Sequence, residues 1–244
     1  EKFAEEDAQN EANTQDNLLT NKIRGRLFGS DDGKAPGYYH KKRQDAVDDH
    51  EAVATDLRRY LKEVTAGMSK RALKKFNTTA TRRLNTALDG INRHVLAERA
   101  VIHKDNLVAR RENAIQDATN HAVLDPNANE VQAHVKTARQ VAQELESGTG
   151  ATADVIKAAG AKAESDAHAA VIARLIAKGG AGPEQAEAYF NKHKTNILQS
   201  KQKEVLEALK PSLKASKVEN VGEILWSWYT EGGGEGTLAE GWKG

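Results

Sequence analysis

The chain contains no cysteine, which removes disulfides, thiolate metal sites and a cysteine nucleophile together. Proline is scarce as well, with four residues in 244, so few positions force a helix to stop. Aromatic side chains make up 5% and methionine occurs once, so a thick core of large side chains is not expected. No run approaches the roughly 18 apolar residues that a membrane span needs, and no secretory signal pattern is visible. The patterns HExxH, GxSxG and GxxxxGK followed by Ser or Thr are all missing. What remains is 39% hydrophobic, much of it alanine, and 29% charged, with a net charge of +1 and a mean hydropathy of -0.69. Such a composition suits helices that meet along narrow apolar seams.

The spacing of those apolar residues predicts an all-α fold: elongated, with long amphipathic helices followed by shorter helical hairpins and no sheet. Residues 1–28 carry a weak stripe of Ala8, Ala12, Leu19, Ile23 and Leu27, and Gly29 supplies a stop. "GSDDGKAPG" is a cluster of turn formers in which Pro36-Gly37 favours a reversal. Helical spacing resumes near Gln44, with Val53, Leu57, Tyr60, Leu61 and Val64 on one face. Gly67 ends that helix and Ser69 is placed to cap the next. Leu73, Phe76, Ala80, Leu84, Leu88, Ile91 and Val95 then step by three or four, and the pattern continues through Ile102, Ile115 and Ala118. This predicts one helix over 69–123, roughly 80 Å long at 1.5 Å per residue. Gly90 is its weak point, costing about 1 kcal/mol relative to alanine.

"LDPNANE" closes the long helix, and shorter helices are expected at 128–146, 152–178, 183–196 and 198–209. Breaks are expected at "ESGTG", "KGGAGP" and Pro211, with Pro183 well placed in a first turn. "PEQAEAYFNKHKTNI" reads as one helix of a tetratricopeptide-type hairpin, without a repeat at a fixed period. The organisation is therefore an N-terminal helix and Gly/Pro/Tyr elbow (1–39), a long helical region (40–124), a helical-hairpin region (125–212) and a Trp/Gly-rich tail (213–244). The chain starts at Glu1 in helical register and stops in "GGGEGTLAEGWKG", which reads as a segment of a longer polypeptide.

Candidate chemistry is sparse. The eight histidines are scattered, and none has metal-ligand spacing with a carboxylate. They read as polar-face or seam residues. Carboxylate pairs such as Asp31-Asp32 and Asp48-Asp49 are too numerous to be informative, and Asp31-Asp32 sits in a polar turn where both members are expected to stay ionised. No catalytic residue, metal or cofactor is expected, and the chain does not read as an enzyme.

Charge is more informative. Residues 69–111 hold eleven Lys/Arg against three acids, whereas residues 1–35 hold five basic and eight acidic side chains. Lys70, Lys74, Lys75, Arg82, Arg83 and Arg93 are candidate nucleic-acid contacts through phosphate. The alternative is that these charges solvate the helix or pair with an acidic neighbouring subunit. Base reading is not expected, because aromatics are not interleaved with the basic residues. Candidate interface residues are Tyr38, Tyr39, Trp226, Trp228 and Trp242. The tryptophans either close a last hairpin or form a docking patch for another chain or a membrane interface.

Three phrases together, "NKIRGRLFGSDDGKAPGYYHKKRQDAVDDHEA", "RRLNTALDGINRHVLAERAV" and the hairpins ending "AEAYFNKHKTNI", resemble the internal virion or ejection proteins of short-tailed bacteriophages. In that family a helix runs into a phrase of the form "LFG…GYY…DAV", followed by a long helix with "H…ER" near its middle. The resemblance covers most of residues 10–210 and leaves the Trp/Gly tail outside it. It implies a structural subunit of a homo-oligomeric internal core, located in the capsid interior or tail and expelled at infection. That assembly would help form a conduit for genome delivery across the host envelope. Implied partners are other virion proteins (portal, tail or further ejection proteins), DNA contacted without sequence preference, and the host envelope transiently. The resemblance brings no catalytic residue onto the chain. Rival readings are a helical-hairpin adaptor that binds another protein through residues 126–210, and a non-catalytic part of a virion-associated lytic protein.

Overall fold

The computed structural model describes residues 1–30 and 33–230, leaving aside the side chains at 225 and 228–230. The Asp31-Asp32 pair, the Trp228 side chain and Trp242 therefore lie outside the described residues. Among the described residues the fold is all-α, with seven α-helices, no strand and one isolated bridge between Gly29 and Pro36. The chain divides into two compact units, Glu1–Asp105 and Asn106–Gly244.

The first unit holds α1 (Lys2–Phe28), α2 (Arg43–Thr65) and the start of α3 (Lys70–Leu124). α1 buries the five residues of its weak stripe, Ala8, Ala12, Leu19, Ile23 and Leu27. They meet Val53, Leu57 and Val64 of α2 and a row on α3 that includes Ala72, Phe76, Ala80, Ile91 and Val95. Alanines occupy many of these seam positions, which lets helices approach closely with few large side chains. α2 ends before Gly67, whose φ of 84° is the left-handed conformation that glycine adopts without penalty. Ser69 caps α3 as expected, its Oγ accepting from the Ala72 N–H at 3.3 Å. Glu11 of α1 ties that cap down by accepting from the Ser69 N–H at 2.9 Å and its Oγ–H at 2.7 Å.

The second unit holds the end of α3 followed by α4 (Asn129–Ser147), α5 (Ala153–Lys178), α6 (Gly182–His193) and α7 (Gln199–Thr230). Its core joins Ala114, Ala118 and Ala122 of α3 to Val131, Val135 and Ala138 of α4, with α5 and α6 adding Val171, Leu175, Tyr189 and Phe190. Pro183 opens α6, where its missing N–H costs nothing.

Two helix ends differ from the sequence reading. The helix expected over 183–196 stops at His193 and tightens into a 3-10 turn at Lys194–Asn196. The break expected at Pro211 does not occur, and α7 runs through it. Anchors on both sides explain this. Leu209 is buried before the proline, and beyond it Ser216 is buried with its Oγ donating to Glu184 Oε1 at 2.6 Å. The Pro211 ring itself faces solvent, and Ser212 Oγ donates back to the Ala208 carbonyl at 3.0 Å.

Candidate functional site

The elbow between α1 and α2 is a closed structure built on glycines. Gly29 has φ 99°, and a side chain there or at Gly37 would overlap the backbone of the opposite limb. The limbs are joined by the Ser30 N–H donating to the Ala35 carbonyl at 2.9 Å, and the Ala35 N–H donating to Ser30 Oγ at 2.9 Å. Tyr38 then turns inward. It is wholly buried, its hydroxyl donating to the Ala46 carbonyl at 2.9 Å. Burial first, then the nearby Asp49 charge, pushes its phenol up to about 12. Tyr38, an interface candidate in the sequence, is thus used inside the first unit.

The elbow is received by the middle of α3. His94 Nε2–H donates to the Lys41 carbonyl at 3.0 Å, and its ring meets Tyr38 and Tyr39 edge-on at 5.2 and 5.4 Å. One turn later Glu98 accepts the Arg43 N–H at 2.7 Å and pairs with Lys42 at 3.5 Å. The Arg43 N–H bond, with help from Lys42 and His94, holds the Glu98 carboxyl below its usual range. Arg43 has φ 51°, a left-handed conformation that costs a non-glycine residue about 1 kcal/mol or more. Its hydrogen bond to Glu98 and its ion pair with Asp105 at 3.0 Å hold it there.

The six candidate phosphate contacts on α3 sort into two groups. Lys75 pairs with Glu5, and Arg83 grips Asp16 with two bonds of 3.1 and 2.7 Å. The acidic excess of residues 1–35 and the basic excess of α3 therefore meet within the same unit. Sequence reasoning had placed any acidic partner in another subunit. Lys70, Lys74, Arg82 and Arg93 are exposed and, among the described residues, have no ion-pair partner. Arg93 only donates from Nε to the Asp89 carbonyl at 3.4 Å. These four keep a charge available to a phosphate backbone.

The second unit contains a polar cluster that the sequence did not reveal. His168 on α5 is wholly buried, with Nδ1 hydrogen-bonded to the Tyr189 hydroxyl at 2.9 Å. Its ring stacks on His193 at 4.8 Å and 18°, and its Nε2 has no hydrogen-bond partner among the described residues. Burial, with a smaller contribution from His193, lowers the His168 imidazole to about 4, so it is neutral near pH 7. Burial also lowers His193 and raises Tyr189. The one sequence signal was the four-residue step from Tyr189 to His193 on α6. Its meaning depends on His168, which the α5–α6 hairpin brings opposite. A second histidine pair, His121 and His134, stacks at 5.2 Å between α3 and α4. Among the described residues no three His, Cys, Asp or Glu side chains gather as a metal site, and no helix is long and apolar enough to cross a membrane.

Of the tryptophans proposed as interface residues, Trp226 has a described side chain, and it is 68% exposed near the end of α7. Tyr39 lies partly covered against Phe28 and α3. Comparison of the chain with protein-family models, curated proteins and solved structures found no match.

Proposed function

We propose that the chain is a structural bacteriophage virion protein, a subunit of an oligomeric internal core or ejection assembly. It is expelled at infection and helps form a conduit for the genome across the host envelope. It acts as a scaffold, its partners being further copies of itself and neighbouring portal, tail or ejection proteins. The supporting observation is that two of the three phrases carrying the resemblance, the "LFG…GYY…DAV" elbow and the "H…ER" stretch, interlock. His94 and Glu98 take up the backbone of Lys41 and Arg43. Phrases far apart in sequence thus form one structural device. The exposed Lys70, Lys74, Arg82 and Arg93 give this subunit a phosphate-binding face. Sedimentation velocity of the purified chain tests the reading. Large, discrete homo-oligomers are expected, and a strictly monomeric, cooperatively folded species would overturn it.

A further inference from the structure

Phe28 ends α1 as a residue 61% exposed, although it stands one residue from the buried Leu27. Its ring meets Tyr39 edge-on at 5.2 Å and 67°. Tyr39 in turn lies over α3 at Gly90, where any side chain would overlap its hydroxyl. The two rings form one wall of a groove of about 520 Å³, and α3 supplies the other with Arg82, Thr86 and Arg93.

Arg82 and Arg93 are eleven residues apart. On an α-helix that is about three turns and roughly 16 Å, so both project from one side. Arg83, the third guanidinium of the groove, is neutralised by Asp16. The other two have no ion-pair partner among the described residues. Arg93 also favours ionisation of the Tyr39 phenol, against the larger effect of its burial, which puts the charge beside the aromatic wall. The groove therefore sets two guanidinium groups, without an ion-pair partner among the described residues, beside the exposed Phe28, with Leu27 and Ala87 also in its lining.

We propose that this groove binds a single-stranded segment of nucleic acid. Arg82 and Arg93 hold separate phosphates of the same strand, and Phe28, braced by Tyr39, is the platform on which a base stacks. A duplex has its bases stacked on one another and offers the platform nothing, whereas an unpaired base presents a free face of any identity. The sequence could not show this juxtaposition, because the aromatic residues come from the elbow and the arginines from α3. The proposal deepens the phosphate-contact part of the function above and does not depend on assembly.

The test is fluorescence anisotropy of the full chain with labelled oligothymidine of about 12 nucleotides, an abasic strand of equal length, and a duplex. The single strand is expected to bind more tightly than the other two. Phe28→Ala, an exposed position whose folding is checked by circular dichroism, should weaken oligothymidine binding about 5- to 150-fold. It should leave the abasic strand unchanged. Arg82→Gln and Arg93→Gln should weaken both strands and each reduce the salt slope by about 0.7. Equal affinity for duplex and single strand, or a Phe28→Ala chain that binds oligothymidine like the parent, overturns the proposal. No binding at low salt overturns it together with the phosphate-binding face. A chain that binds single strands but sediments as a monomer supports the groove and removes only the assembly reading.

Discussion

Gly90 reads as a flaw when only the helix is considered, since alanine there would favour α3 by about 1 kcal/mol. The structure gives it a partner 51 positions earlier: the Tyr39 hydroxyl occupies the space a Cβ would need, while the next ring carbon would stand at an ordinary 3.7 Å. A double-mutant cycle separates the two effects. Gly90→Ala alone must push Tyr39 aside and should gain little or lose stability. In a Tyr39→Phe background the obstructing oxygen is gone, and the same substitution should stabilise by about 1 kcal/mol. Equal effects in both backgrounds, measured by urea unfolding, would refute the steric account. The same limit on reading holds for Arg83 and Asp16. The charge excess of each segment was plain in the sequence, but their pairing was not. Local spacing reports which face of a helix is apolar, and a contact across 67 residues is set by the fold.

Among the elements, those defined by spacing were legible and those defined by tertiary support were not. The five apolar residues expected of α1 are the five it buries, because helical periodicity depends on nearest turns alone. α7 departs from expectation because Leu209 and Ser216 hold the helix on either side of Pro211, and neither contact is local. The pairing of α5 with α6 was legible as a hairpin, but its buried polar centre was not, and that centre gives the pair a pH dependence. His168 has a folded value of about 4 against an ordinary 6.5, so the unfolded chain takes up a proton between those values that the folded chain refuses. The stabilisation is therefore complete above about pH 6.5, falls as the pH drops, and is lost by about pH 4. Its size is about 3 kcal/mol, from 1.36 kcal/mol per pH unit. Urea unfolding at a series of pH values should show this decline. His168→Phe should flatten it, whereas an unchanged slope in that variant would assign the acid lability to carboxylates.

At the scale of the whole molecule, the long stretch read as one helix over 69–123 is one helix, but it serves two cores. Residues from Ala72 to Val95 close the first with α1 and α2, while Ala114, Ala118 and Ala122 close the second with α4 to α7. An uninterrupted apolar stripe does not reveal that its neighbours change partway along, so this division was hidden in a correctly read helix. It has a consequence for fragments. Residues 1–105 contain every buried member of the first core, and 106–230 every buried member of the second. Each fragment should therefore fold as a helical, cooperatively melting unit. A fragment of 126–210, the segment an adaptor would use, lacks the three alanines of α3 and the Ser216 anchor of α7. It should be less stable than 106–230, the alanine methyls alone accounting for roughly 2 kcal/mol at about 0.8 kcal/mol per buried carbon. Circular dichroism during thermal and urea unfolding of the three fragments distinguishes these cases. If 126–210 proved as stable as 106–230, the α3 alanines would be a passive covering of the second core, and the adaptor reading would gain a self-sufficient module. If 1–105 were unfolded alone, the first core would require material beyond the residues that line it, and oligomerisation would be the natural source.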